Sequence, residues 1–231
     1  MINKPLVPMH LGLILDGNRR WAKANKLSKL QGHKKGYENL KLVADAALER
    51  GVEYLSAYIF STENWSRAEE EVDYLMKLVV EVFTRDTKSF MEKGVRVVFL
   101  GSRDRLSDKV LSAIENTEAK TKDNARGTLA LCFNYGGQLE IVDAIKSIVD
   151  SGVSSDDVDV DLVADNLYSP EIPPVDLMIR TSGEQRLSNF MLWRMAYSEL
   201  FFTDKHWPAF TVEDLDTALT EYAGRSRRFG S

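Results

Sequence analysis

The chain has 231 residues, 44% apolar and 28% charged, the balance of a soluble globular protein forming one domain over 1–231. Its 30 basic and 35 acidic residues leave a net charge of −5, which argues against a general nucleic-acid binder. One cysteine, Cys132, and three scattered histidines exclude an intrachain disulfide framework, a cysteine-based zinc site and an HExxH-type centre.

Residues 11–15 form a short apolar run that stops at the turn signal Asp16-Gly17-Asn18, the pattern of a buried strand. The run is no secretory signal, and no stretch approaches the roughly 18 consecutive apolar residues of a membrane span, so the cytoplasm is the expected location. Residues 1–50 hold ten basic groups against four acidic, whereas 151–221 hold four against fourteen. Ordinary solvated faces explain this as well as a local anion site does. Helical spacing from Tyr37 to Leu48 ends at Gly51, and 54–61 reads as a second strand. A long helix is expected over 72–91. Its apolar arc (Val72, Leu75, Met76, Val79, Val80, Val82, Phe83, Phe90) is wider than capping a core requires, so the extra face would meet a partner subunit or line a cavity. Strands at 95–100 and 128–133 bracket a helix at 105–120, and the Tyr135-Gly136-Gly137 turn leads into a helix at 138–149. An acidic, Ser-rich surface loop at 150–161 follows, then a strand at 175–179, two short apolar stretches at 190–193 and 200–202, and a last helix at 211–223. Strands alternating with helices predict an α/β fold: an open, mostly parallel sheet flanked by helices.

Ligands of such sheets bind beyond the carboxyl ends of the strands, and three predicted strand ends carry polar clusters. Asp16-Gly17-Asn18-Arg19-Arg20-Trp21 combines a carboxylate, a flexible turn and two guanidiniums. Close backbone approach, free N–H groups at a helix start and forked arginine bonds suit a phosphate, and Asp16 suits a hard cation such as Mg²⁺. A plain helix cap with solvated arginines accounts for the same residues. Arg180-Thr181-Ser182-Gly183-Glu184-Gln185-Arg186-Leu187-Ser188 repeats this chemistry, either as a second anion site or as a loop with internal ion pairs. Ser61-Thr62-Glu63-Asn64-Trp65 sets hydrogen-bonding groups beside an aromatic, which also fits turn chemistry. His33 reads as a phosphate donor or a helix cap, and Glu199 as a second metal carboxylate or an exposed charge. The P-loop, the dinucleotide fingerprint and the GxSxG elbow are all absent.

The ordered set of segments resembles the cis-prenyltransferases, the family of undecaprenyl diphosphate synthase. It comprises His10 with Asp16-Gly17-Asn18-Arg19-Arg20-Trp21-Ala22, Gly32-His33, Tyr58 to Phe60 with Ser61-Thr62-Glu63-Asn64-Trp65-Ser66-Arg67, Asn134-Tyr135-Gly136-Gly137, Asp176 to Glu184, and Trp193. Arg186-Leu187-Ser188-Asn189-Phe190, Ala196-Tyr197-Ser198-Glu199-Leu200 and Arg228-Phe229-Gly230 complete it. The resemblance implies a homodimer of the open α/β fold with an apolar tunnel. It also implies condensation of isopentenyl diphosphate with an allylic diphosphate, geranyl or farnesyl, into a Z-polyprenyl diphosphate of the undecaprenyl or decaprenyl lipid-carrier type.

By position, Asp16 is implied as the essential carboxylate and Asn64 as the candidate for proton removal. Gly17, Asn18, Arg19, Arg20, His33 and Arg67 would cradle the allylic pyrophosphate, with Trp21, Lys29, Ser61, Thr62, Glu63 and Trp65 among the substrate-binding set. Arg180, Arg186, Leu187 and Ser188 would take isopentenyl diphosphate, Asp16 and Glu199 would hold Mg²⁺, and Arg228 and Gly230 would complete the partner's site. A neutral amide is a poor base, so a pyrophosphate oxygen is the alternative proton acceptor. Lys29 stands where many members have arginine, and Gln185 where some have histidine. The alternatives are a short-chain Z-prenyl diphosphate synthase or a non-catalytic subunit of a heteromeric enzyme. A long product adds the expectation of loose association with a membrane surface.

Overall fold

Alternation along the strands sets the architecture, which a computed structural model describes for residues 7–225. In β1 (His10–Ile14), Leu11 and Leu13 join the main core on one face of the sheet, while Ile14 joins a second core on the other. The same division holds in β3 (Val95–Leu100), where Val97 and Phe99 oppose Val98 and Leu100. It recurs in β4 (Gly127–Tyr135), where Leu129, Leu131 and Phe133 oppose Ala130 and Cys132. With β2 (Tyr54–Ser61), β5 (Leu177–Arg180) and β6 (Glu199–Phe202) the strands form one parallel sheet in the order β3-β4-β2-β1-β5-β6. Both faces are covered, as a parallel sheet requires.

From β1 the chain passes through α1 (Asn18–Ala24) and α2 (Lys29–Glu49) to β2 on one side, while β5 lies on the other. That divergence opens a crevice beyond the carboxyl end of β1. Helix α2 begins two turns earlier than the apolar spacing indicated, because Ser28 and Gln31 form a reciprocal capping box. Gly32 and Gly36 let it close on α1: a Cβ on Gly36 would stand 2.1 Å from Asn18 Oδ1.

The helix expected over 72–91 is two helices, α3 (Glu69–Arg85) and α4 (Thr87–Glu92), which meet at Asp86. The Phe83 carbonyl accepts hydroxyl bonds from both Thr87 and Thr117, which draws it out of the regular ladder. Helix α5 (Asp108–Thr121) and α6 (Gly137–Asp150) follow β3 and β4. The surface stretch expected at 150–161 runs instead into a short helix, α7 (Val160–Asp165), capped by Asp159. The apolar stretch near 200 is the edge strand β6, and α8 (Val212–Gly224) closes the described chain.

Candidate active site

The turn after β1 is fixed from below. Gly17 has φ 101°, and a Cβ there would stand 2.0 Å from Ser182 Oγ, so conformation and space both demand glycine. The Asp16 carbonyl accepts from the Trp207 N–H at 2.9 Å and from Thr181 Oγ1 at 2.7 Å. The Asp16 carboxylate is thereby held facing two guanidiniums, Arg180 Nη2 at 3.0 Å and Arg20 Nη2 at 3.2 Å.

Arg180 ends β5 with its side chain only 4% exposed. It donates to Ser188 Oγ at 2.8 Å and to the Arg186 carbonyl. The loop it organises carries left-handed backbone at Ser182, Ser188, Asn189 and Met191, a concentration of strain of the kind found at functional sites. The Asn189 carbonyl and Oδ1 receive the first N–H groups of α6, from Gly137 and Gln138. Among the described residues, two buried side-chain polar atoms lack a partner, Arg180 Nε and Asn18 Oδ1, and both residues line the same cavity. Orphaned groups in one cavity mark where a polar ligand belongs.

Beyond β2, the 3-10 turn Thr62–Ser66 is capped reciprocally by Ser61 and Asn64. Asn64 Oδ1 accepts from the Ser61 N–H at 3.2 Å, so the group it has left to offer a ligand is its Nδ2 donor. Trp65 anchors the turn from behind: its indole donates to Asn134 Oδ1 at 2.7 Å and packs edge-on against Phe60.

Two guanidiniums and an imidazole from three segments converge on one buried carboxylate. Arg67 Nη1 lies 3.1 Å and His33 Nε2 3.4 Å from Glu71 Oε1, and Arg19 Nη1 lies 3.9 Å from Oε2. Burial alone would raise the Glu71 carboxyl, but Arg67, Arg19 and His33 outweigh it and hold it below the usual value. Burial first, then the Arg67 charge, pushes the His33 imidazole down, with Glu71 opposing.

Two cavities join here. One, of about 610 Å³, runs from Asp16, Arg180 and Ser188 between the sheet and helices α2 and α3, where Leu40, Leu75, Val79, Val82, Phe83 and Leu131 make it apolar. This is where the surplus apolar face of α3 goes. The other, of about 780 Å³, is polar, with Gly17, Arg19, Arg20, Lys23, Lys29 and Ser28 in its wall. Asp16, Asn18, His33 and Arg67 line both. The apolar cavity closes at Tyr37, whose hydroxyl donates to Asp86, itself 3.1 Å from Lys41 Nζ and bonded by Arg85. Past Tyr37, Leu40 and Leu131 lies a separate apolar void of about 40 Å³.

Most residues singled out in the sequence meet at these two cavities, Ser61, Glu63 and Asn64 among them. Trp21, Thr62, Trp65 and Leu187 line neither; Trp65 and Leu187 pack against the cores. Arg186 is exposed and paired with Glu184 at 2.6 Å. Glu199 is not brought to Asp16 within one protomer. It opens the edge strand β6 opposite Leu177, away from the carboxyl ends, and pairs with Arg225 at 3.0 Å. Arg228 and Gly230 lie outside the described residues. Among the described residues, no cluster of three or more His, Cys, Asp or Glu side chains could hold a metal unaided. Sequence reasoning missed Glu71, hidden in the acidic run 69–71 that reads as an ordinary helix start, and Tyr37, which reads as core.

The sequence profile of the undecaprenyl diphosphate synthase family of prenyltransferases matches residues 14–230. An isoprenyl transferase of Listeria innocua is 46% identical over 228 residues, covering 97% of this chain and 90% of that protein. One of Thermotoga maritima is 45% identical and covers 97% of both. Among solved structures, lavandulyl diphosphate synthase from Lavandula x intermedia, in complex with dimethylallyl diphosphate, superposes with a TM-score of 0.93 at 33% identity, covering 98% of this chain and 99% of that one. A probable undecaprenyl diphosphate synthase from Campylobacter jejuni gives 0.83 at 29%, covering 97% and 99%.

Proposed function

The chain belongs to the undecaprenyl diphosphate synthase family and is a cis-prenyltransferase; within that family we propose that it condenses isopentenyl diphosphate with an allylic diphosphate into a Z-polyprenyl diphosphate. The observation that carries this reading is the junction of the two cavities. An apolar channel opens directly into a cationic cradle through Asp16, Asn18, His33 and Arg67. An allylic diphosphate has that same division, and the allylic ligand of the lavandulyl diphosphate synthase complex supports it.

In this reading Arg19, Arg20, Arg67 and His33, with Gly17, Asn18 and Lys29, face the charge that develops on pyrophosphate as the allylic C–O bond breaks. The apolar walls keep water from the developing allylic cation. Arg180 and Ser188, with Arg186 at the rim, take the diphosphate of isopentenyl diphosphate. The new double bond forms as the added unit loses a proton. Asn64 positions by donating, and a pyrophosphate oxygen accepts that proton. Asp16 fits Mg²⁺: its carboxylate stays 29% exposed where the two cavities meet, and the ion commonly takes one carboxylate plus phosphate oxygens. When bound there, Mg²⁺ would stabilise the charge on the departing pyrophosphate. The exposed α6 stripe Val142, Ile145 and Val149 supports a homodimer of one-domain subunits. No described helix is long and apolar enough to cross a membrane, and surface association during product release is the corresponding reading.

The resemblance implies an undecaprenyl- or decaprenyl-type product. One observation favours the shorter-chain alternative: the cavity ends at Tyr37.

The test is a Mg²⁺-dependent assay with labelled isopentenyl diphosphate and dimethylallyl, geranyl or farnesyl diphosphate, resolving products by length. Metal-dependent elongation is expected. No incorporation with any starter, from folded protein, would refute the reaction for the chain acting alone.

A further inference from the structure

Glu71 is out of place in a site for an anion. It lies on α3, 6% exposed, among three of the donors read as holding the allylic pyrophosphate, the guanidiniums of Arg67 and Arg19 and the imidazole of His33. Its contacts are loose for charge-assisted bonds: 3.1 Å to Arg67, 3.4 Å to His33 and 3.9 Å to Arg19, against the usual 2.7–2.9 Å or so. The donors are therefore ordered without being saturated. Arg67 and Arg19 each lie near the other's charge, and without Glu71 the empty site would leave these guanidiniums with Asp16 as the nearby counter-charge. A bound diphosphate needs the same N–H groups and meets Glu71 as a like charge at short range in a partly buried setting, where screening is weak.

The reaction gives that arrangement a use. Each addition leaves a diphosphate on the unit just added, and that diphosphate has to enter the cradle that pyrophosphate vacates. A cradle that gripped pyrophosphate with its full charge would stall after one step. We propose that Glu71 is a positioning residue that aligns Arg67, Arg19 and His33 while the site is empty and, by its standing negative charge, weakens the grip on released pyrophosphate. The inference rests on the reading of the cradle as the allylic diphosphate site.

Calorimetric titration of the full chain with inorganic pyrophosphate tests it. Glu71→Gln keeps the size and an acceptor for Arg67 but removes the charge. It is expected to bind pyrophosphate at least about tenfold more tightly than the wild type. Its ligand-free melting midpoint should fall, and saturating pyrophosphate should close the gap. Glu71→Asp, which keeps the charge, should stay near the wild-type affinity. A merely structural role would weaken binding, so equal or weaker binding by Glu71→Gln overturns the inference, as does equal tightening by Glu71→Asp. If Glu71→Gln does not fold, the double variant Arg19→Gln, Glu71→Gln must bind more tightly than Arg19→Gln alone. Arg67→Gln separates the two levels. If the wild type binds pyrophosphate only with Arg67 intact and Glu71→Gln fails to tighten it, the Glu71 inference alone falls. If the wild type does not bind pyrophosphate, or binds regardless of Arg67, the cradle reading falls and takes the inference with it.

Discussion

Asp16 Oδ2 lies 3.0 Å from Arg180 Nη2, so the carboxylate that follows β1 meets the guanidinium that ends β5 across the crevice of the sheet. Arg180 reaches Ser188 with its other terminal nitrogen, at 2.8 Å. The two proposed diphosphate sites are thus joined through one buried arginine. Asp16→Asn keeps the side chain's size and leaves Arg180 its bonds to Ser188 and the Arg186 carbonyl, so the fold should survive. Turnover should drop by roughly a hundred- to a thousandfold, the range for removing one preorganised electrostatic partner. A variant with native circular dichroism and near-full rate would remove Asp16 from the chemistry.

Product length should answer to Tyr37. Its ring stands between the main cavity and the small void lined by Leu48, Leu55, Phe90 and Val95, and its hydroxyl is fixed on Asp86. Tyr37→Ala should join the two spaces and move the product ladder to longer chains, whereas Tyr37→Phe keeps the partition and should leave the lengths in place. Chromatography of labelled products reads the difference. An unchanged ladder for Tyr37→Ala would mean that the chain grows past another wall.

Much of this arrangement is legible in the sequence, because strands announce themselves by apolar runs and their exits by polar turns. The rim clusters at 16–20, 61–67 and 180–188 come together because parallel strands put all their carboxyl ends on one side. What stays hidden depends on partners distant in the chain. The break at Asp86 needs Thr117 and Tyr37, 31 and 49 residues away. Glu71 looks like any acidic residue in a first helical turn until Arg19 and His33 arrive from other helices. Glu199 shows the converse: its place in a motif implied a metal ligand with Asp16, while strand register puts it at the start of β6, at the other end of the sheet within one protomer.

The other face of the sheet depends on a buried ion pair. Glu140 on α6 is fully buried, and Arg194 Nη1 approaches its Oε1 at 2.5 Å while also donating to the Ile172, Tyr168 and Ser169 carbonyls. The Tyr135 hydroxyl donates to the same carboxylate, and burial, then that charge, pushes the phenol well up. Arg194→Met would strand Glu140 and free three carbonyls, a loss of about 3–5 kcal/mol. Urea unfolding would read it; a change under about 1 kcal/mol would show that the pair contributes little.

Stability should also fall on mild acidification, through His10. Its ring is fully buried, with Nδ1 2.7 Å from the Pro173 carbonyl and Nε2 2.8 Å from Ser56 Oγ. Burial, aided by the Arg194 charge, lowers its pKa to about 4. Above about pH 6.5 the ring is neutral in both folded and unfolded chains and contributes no pH dependence. As pH falls below that value the unfolded chain takes up the proton first, so stability is lost until the folded ring also protonates near pH 4. The loss should reach about 3 kcal/mol. Asp86 and Glu71, also held below their usual values, lose stability in the same direction but only in the more acidic carboxylate range. Urea midpoints at pH 7, 6, 5 and 4.5 should therefore fall steadily for the wild type. His10→Gln, less stable at pH 7 through its altered bonds, should show a flatter profile across that window, the slope that remains coming from His33, whose imidazole is also held down by burial. Parallel slopes for the two proteins would assign the acid sensitivity elsewhere.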